Sequence, residues 1–250
     1  MKTLFSHLIK TISICLLFIN ALVTFAQEIP TYVAMSEIKY KDNELYKKHY
    51  PTIRKVNNEI FSVRNREAFV AESGKVLSLT WIDGDNELGK YVAFRQENIA
   101  KIRKAIPAII SELEENTLVP NKRSTWVIKR NMSHTEQGFK TSDYAFRRVN
   151  YYSVPVNKIN DFEAAVEKLT KLETENGIIY NKVYFKCVEG YPGNTYALFL
   201  PEKSRAEAYK AMENRTAARK ALRQKNEELY KLVEGYRTIL DFDHLERIPY

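Results

Sequence analysis

The sequence predicts an α+β protein made of two tandem ferredoxin-like units, and three observations carry the prediction. The stretch from Phe146 to Pro201, with the long polar helix pattern after it, reads strand, helix, strand, glycine-rich turn, strand, helix. The first half repeats that order. Tight-turn signals, Ser73-Gly74 and Gly190-Tyr191-Pro192-Gly193-Asn194, stand between the second and third strands of each half. The order βαββαβ is that of an antiparallel sheet with helices on one face. The other face must also be covered, and two units in one chain cover each other, sheet against sheet, in a closed barrel-like core.

Taken from the start, residues 1–26 carry Lys2 and Lys10, then an apolar run from Ile12 to Phe25 that ends Thr24-Phe25-Ala26. This is the pattern of a secretory signal peptide, and the run is shorter than the roughly 20 residues that span a bilayer. The expected product is exported, periplasmic or extracellular, with no stable membrane anchor. Cutting after Ala26 leaves 224 of the 250 residues, and the basic residues fall from 39 to 37 against 31 acids, a net charge of +6. Cys187 is then the only cysteine, so packing rather than disulfides must hold the domain. It lies in an alternating strand pattern, where a buried, inert thiol is the expected state.

The first unit is expected over 27–130. Thr31 to Lys41 is rich in β-branched and aromatic residues and reads as a strand. Leu45, His49, Val56, Ile60 and Val63 then make a helical stripe, with a kink or fresh start expected at Pro51. Glu67–Glu72 and Lys75–Ile82 form the hairpin. The turn Asp83-Gly84-Asp85-Asn86 leads into a second helix, striped by Leu88, Val92, Ile99, Ile102, Ile106, Ile109 and Leu113, which Pro107 divides. Arg123–Arg130 closes the unit as a strand.

Residues 131–143 are polar and lack apolar periodicity, so a mobile linker is expected there. The second unit follows over 144–250. Tyr144–Val156 is a strand, and Ile159, Phe162, Val166, Leu169 and Leu172 mark a helix that Gly177 ends. Tyr180–Glu189 and Thr195–Leu200 form the second hairpin. Ser204 can cap the last helix, whose buried face is expected to be Leu222, Leu229, Val233, Tyr236 and Leu240. Its Arg215, Arg219, Arg223 and neighbouring acids read as a solvated face. His244–Tyr250 can supply a short final strand.

Few residues suggest chemistry. His49, on an apolar stripe, could act as a base or axial ligand, although a boundary histidine bonded to its neighbours explains it as well. The oxygens of Asp83, Asp85, Asn86 and Glu87 lie close together as calcium requires, but without an EF-hand pattern, and a turn with a helix start accounts for them. His134 and His244 make no metal spacing, so no metal is expected. The chain has sixteen tyrosines, and Tyr151, Tyr152, Tyr184 and Tyr196 fall on strands, with Trp81 and Trp126 in the first half. Such residues line pockets for planar apolar ligands, and they also simply pack in sheets. The pocket candidates are His49, Trp81, Tyr152, Tyr184 and Tyr196. Nucleophile-elbow, phosphate-loop, zinc-helix and haem-attachment motifs are missing, which disfavours hydrolase, dinucleotide and metalloprotease readings. Basic residues interleaved with acids also disfavour nucleic acid as a partner.

The order of elements, with Tyr151–Leu200 and the ending Val233-Glu-Gly-Tyr-Arg through Ile248-Pro249-Tyr250, resembles the dimeric α+β barrel superfamily in a tandem, exported bacterial form. The resemblance implies a pseudo-dimeric α+β barrel that is a monomer, since the second half supplies the sheet of a partner. It further implies a small-ligand pocket between the sheet and helices of one unit. Members include cofactor-independent monooxygenases, chlorite-type haem enzymes and haem-degrading enzymes, the last with Asn, Trp and His in a placement this chain does not reproduce. The residues themselves ask for no cofactor, and haem enters only through the resemblance. Three functions are therefore expected. The first is binding of a small apolar or aromatic ligand, or a non-catalytic accessory role. The second is a monooxygenase of the same superfamily, and the third a protein-interaction module that uses the charged helices.

Overall fold

The structure, a computed structural model, describes residues 31–61 and 66–249. The expected signal peptide over 1–26 lies outside them. Eight strands are present: β1 (Thr31–Tyr40), β2 (Arg66–Ala71), β3 (Lys75–Asp83), β4 (Thr117–Ile128), β5 (Phe146–Ser153), β6 (Val183–Glu189), β7 (Thr195–Glu202) and β8 (Thr238–Arg247). The helices are α1 (Asn43–Phe61), α2 (Asp85–Ala105), α3 (Pro107–Glu115), α4 (Ile159–Glu175), α5 (Arg205–Lys225) and α6 (Glu227–Gly235). All strand pairs are antiparallel, and the sheet closes in the order β1-β3-β2-β8-β5-β7-β6-β4. The first four strands thus run 4-1-3-2 within themselves, and so do the last four. Closure rests on two short seams, β2 with β8 over Phe69–Ala71 and β4 with β6 over Thr125–Ile128.

The two-residue period of a strand decides what goes inside. On β1, Val33 and Met35 point into the barrel; on β3, Leu77 and Leu79; on β5, Val149 and Tyr151; on β6, Phe185 and Cys187; on β7, Ala197 and Phe199. Trp126 is fully buried among them, and burial pushes the Cys187 thiol up, which suits an inert packing residue. Alternate residues face the helices. Tyr40, Ala68 and Val76 meet Tyr46, Tyr50, Ile53 and Leu113, whereas Tyr152, Tyr196, Leu198 and Leu200 meet Phe162, Val166, Leu222, Tyr230 and Val233.

Several expectations shift. The buried face of α1 is Tyr46, Tyr50, Ile53 and Asn57, so the apolar stripe through His49 flanks the contact instead of making it. Tyrosines with their hydroxyls satisfied pack as well as aliphatics, and these rings stack, Tyr40 on Tyr46 at 5.3 Å and Tyr46 on Tyr50 at 5.9 Å. Pro51 lies inside one continuous helix, while Pro107 does start a new one. Ser204 caps α5, accepting from the Glu207 amide at 3.2 Å. The helix pattern after it breaks at Asn226, whose side chain donates to the Leu222 carbonyl, and ends at Gly235. Leu240 therefore belongs to β8 and is exposed. The linker region is tied down: Met132 is fully buried, Thr170 donates to its carbonyl at 3.0 Å, and His134 pairs with Lys182.

Gly190 is required at the β4–β6 seam. Its φ is +94°, and a Cβ there would stand 2.3 Å from the Arg123 carbonyl oxygen and 2.8 Å from Ser124 Cα. Backbone cannot yield as a flexible side chain does, so Gly190→Ala is expected to cost about 1–3 kcal/mol in urea unfolding. Wild-type stability of that variant would show that the seam is loose.

Candidate functional site

Each half holds a cavity between the outer face of its strands and its helices. The first, about 470 Å³, lies over β1, β3 and β4 beneath α1, α2 and α3. Its lining is Tyr40, Tyr46, Ile53, Ile102 and similar apolar groups, with Ser78 and Thr80 on the floor. Arg95 projects into it from α2 with its Nε unpartnered. The second, about 810 Å³, lies over β5, β6 and β7 beneath α4, α5 and α6.

The floor of the second cavity follows from strand parity. On β5, Arg148, Asn150 and Tyr152 face the helices while Arg147, Val149 and Tyr151 face the barrel. Tyr184 comes from β6, and Leu198 and Leu200 from β7. One wall is the arginine stripe of α5, where Arg215, Arg219 and Arg223 recur every four residues and so share a face. That stripe was expected to be solvated. Instead Arg215 is buried and pairs with Glu202 at 2.7 Å and the half-buried Arg219 forks onto Glu173 at 2.6 and 3.1 Å, while Arg223 stays exposed as expected and forks onto Glu234 at 2.7 Å.

Glu173 of α4 is the hub. Only 1% exposed, it also accepts from Lys182 Nζ at 2.9 Å, from the Tyr180 hydroxyl at 3.1 Å and from the Tyr230 hydroxyl at 3.4 Å. Burial alone would push its carboxyl up, but the Arg219 and Lys182 hydrogen bonds and charges outweigh this and hold it below the usual carboxylate range. Tyrosines around it move the other way: burial raises Tyr152 and Tyr184, sends Tyr180 well above its ordinary value, and lifts Tyr230 to about 12.

The residues singled out in the sequence separate. Tyr152 and Tyr184 line the second cavity. Tyr196 faces the same side but is fully buried under α4, its hydroxyl donating to Glu163 at 2.6 Å and its ring 5.1 Å from Phe162. Trp81 has the other parity; it packs on the barrel core 6.1 Å from Phe185 and donates to Glu67 at 3.3 Å. His49 lies beside α3, 2.8 Å from Glu112, outside the lining of either cavity. Arg148 and Glu173 were not singled out. The four-residue arginine repeat was the available signal, but nothing in it says that Arg215 and Arg219 turn inward.

Haem bound through histidine does not fit these residues, since neither lining contains a histidine among the described residues. Asp83 and Asp85 accept the hydroxyls of Thr31 and Tyr32 at 3.1 and 2.5 Å. Among the described residues no three His, Cys, Asp or Glu side chains gather as a metal would require, and no helix is long and apolar enough to cross a membrane.

No protein-family model matches the sequence, and no curated protein matches it. Among solved structures the chain is similar to an anthrone oxidase-like protein, with 13% identity over 90% of this chain and 93% of that one and a TM-score of 0.54. It is also similar to candidate monooxygenases from Lactobacillus acidophilus and Fusobacterium nucleatum. The first has 10% identity over 89% of this chain and 95% of that one, and the second 10% over 88% and 92%, both with a TM-score of 0.51. At such identities the likeness is one of fold, and the fold is the dimeric α+β barrel that the sequence resembles.

Proposed function

We propose that this chain is an exported tandem α+β barrel, a pseudo-dimer acting as a monomer, that binds a small aromatic molecule in the second-half cavity. The observation that carries the reading is that cavity: about 810 Å³, with Tyr152, Tyr180 and Tyr184 beside Leu198 and Leu200. Flat rings and aliphatics supply area, and their hydroxyls and the cations above them supply orientation. Export rests on the pattern of residues 1–26.

Binding is favoured over catalysis by the state of the polar groups. Glu173 is held ionised by four donors and the cavity tyrosines hold their protons, so neither is poised to exchange one near neutral pH. The monooxygenase alternative draws on the shared fold alone. The interaction-module alternative keeps only the exposed part of that face, since Arg219 is committed to Glu173 while Arg223 pairs with Glu234 at the surface.

The test is fluorescence titration with phenylnaphthylamine, a neutral aromatic probe, against wild type and Ala217→Trp. Ala217 is an exposed residue of α5 among those that line the cavity, so an indole there adds bulk at its rim. Micromolar binding weakened about tenfold or more by A217W is expected. Absence of binding, or binding indifferent to A217W, overturns the assignment.

A further inference from the structure

The second cavity carries more positive charge than its own fold consumes. Seven cationic side chains and three carboxylates line it. Lys182 and Arg219 share Glu173, Arg215 has Glu202 and Arg223 has Glu234. Arg148, on the floor, has none of these. Its Nη1 points at the thioether of Met212, 2.9 Å away, and its Nε is shut off from solvent with no partner. A thioether sulfur is a weak acceptor, and a guanidinium offers five donors. Burial, then the charges of Arg215 and Arg219, pull its affinity for its proton down, so Arg148 is held at a cost that an anion would relieve. Arg237 lies 4.7 Å over the Tyr152 ring at the same floor, with no carboxylate among the described residues.

Building on the binding role argued above, we infer that the ligand is an aromatic anion, a carboxylate or sulfonate on a planar body, whose charged group pairs with Arg148 in place of Met212. Its rings then lie along Tyr152 and Tyr184. A forked guanidinium matches the paired oxygens of such a group, and the seat is partly withdrawn from water, where a charge-assisted pair is strong.

A matched pair of probes tests this. Anilinonaphthalenesulfonate and phenylnaphthylamine share one aromatic body and differ in the anionic group. Wild type is expected to bind the sulfonate at least about tenfold more tightly. Arg148→Met should erase that preference while leaving phenylnaphthylamine affinity within about twofold, and R148K should restore part of it. Arg95→Met, in the first-half cavity, should change neither. Equal affinity of wild type for both probes, or a preference lost in R95M but kept in R148M, overturns the inference and leaves aromatic binding standing. Failure of both probes overturns aromatic binding and the inference together. Thermal unfolding of R148M near the wild-type midpoint shows that the loss is one of charge recognition; should it fail to fold, R148K and the wild-type probe ratio decide the matter.

Discussion

Glu173→Ala is expected to destabilise the protein by about 3 kcal/mol, because it strands Lys182 as a buried, uncompensated cation beside the half-buried Arg219. The tyrosine hydroxyls of Tyr180 and Tyr230 lose their acceptor in the same step. Urea unfolding measures the loss, and a cost under about 1 kcal/mol would mean that water reaches the cluster freely. The same carboxylate gives an acid dependence of definite sign. Its folded pKa is depressed, so its contribution is fully present above the unfolded carboxylate value and disappears as pH falls through the folded one. Glu173→Gln should therefore show a flatter acid limb than wild type. An unchanged slope would place the acid sensitivity elsewhere.

Arg147→Met should also be costly, at about 3 kcal/mol, since it breaks a pair sealed inside the barrel. Arg147 is 2% exposed, donates from Nη2 to Glu67 at 3.1 and 3.3 Å and to the Thr141 carbonyl at 3.1 Å, and lies 4.3 Å over the Phe69 ring. Glu67 keeps Trp81 and Arg247 nearby, which limits the damage to the lower part of the range. Burial lowers the Arg147 proton affinity, with Glu67 acting against it, so the pair's net worth is small next to the penalty for halving it. The double variant R147M/E67M should thus be more stable than R147M alone. If it is instead less stable than either single variant, each residue contributes through its other contacts, Arg147 with the Thr141 carbonyl and Glu67 with Trp81, beyond the pair itself.

These two clusters mark where the sequence stops. Strand parity was readable wherever alternation was strong: Val183-Tyr184-Phe185-Lys186-Cys187 announces a strand, and the turn at Gly190 and the cap at Ser204 followed from local chemistry that needs no partner. Parity also separates Tyr151 from Tyr152 and Trp81 from Thr80, but which parity meets helices and which meets the opposing strands is a property of closure. His49 shows the same limit on α1, where Tyr46 and Tyr50 won the buried face from an equally plausible aliphatic stripe. The exposed half of β4, Leu118 to Arg123, escaped notice because residues solvated on both sides have no reason to alternate.

The sequence by itself determined the order of elements, the two hairpins, the packing cysteine and hence the α+β frame, since each depends on the backbone preferences and apolar periods of adjacent residues. Only the tertiary structure decided that Arg219 turns inward to Glu173, that Arg147 meets Glu67 across 80 residues, and that Arg148 faces a cavity with no carboxylate paired to it. A charged side chain looks the same in sequence whether water or a partner solvates it, and that choice is made when distant segments close around it.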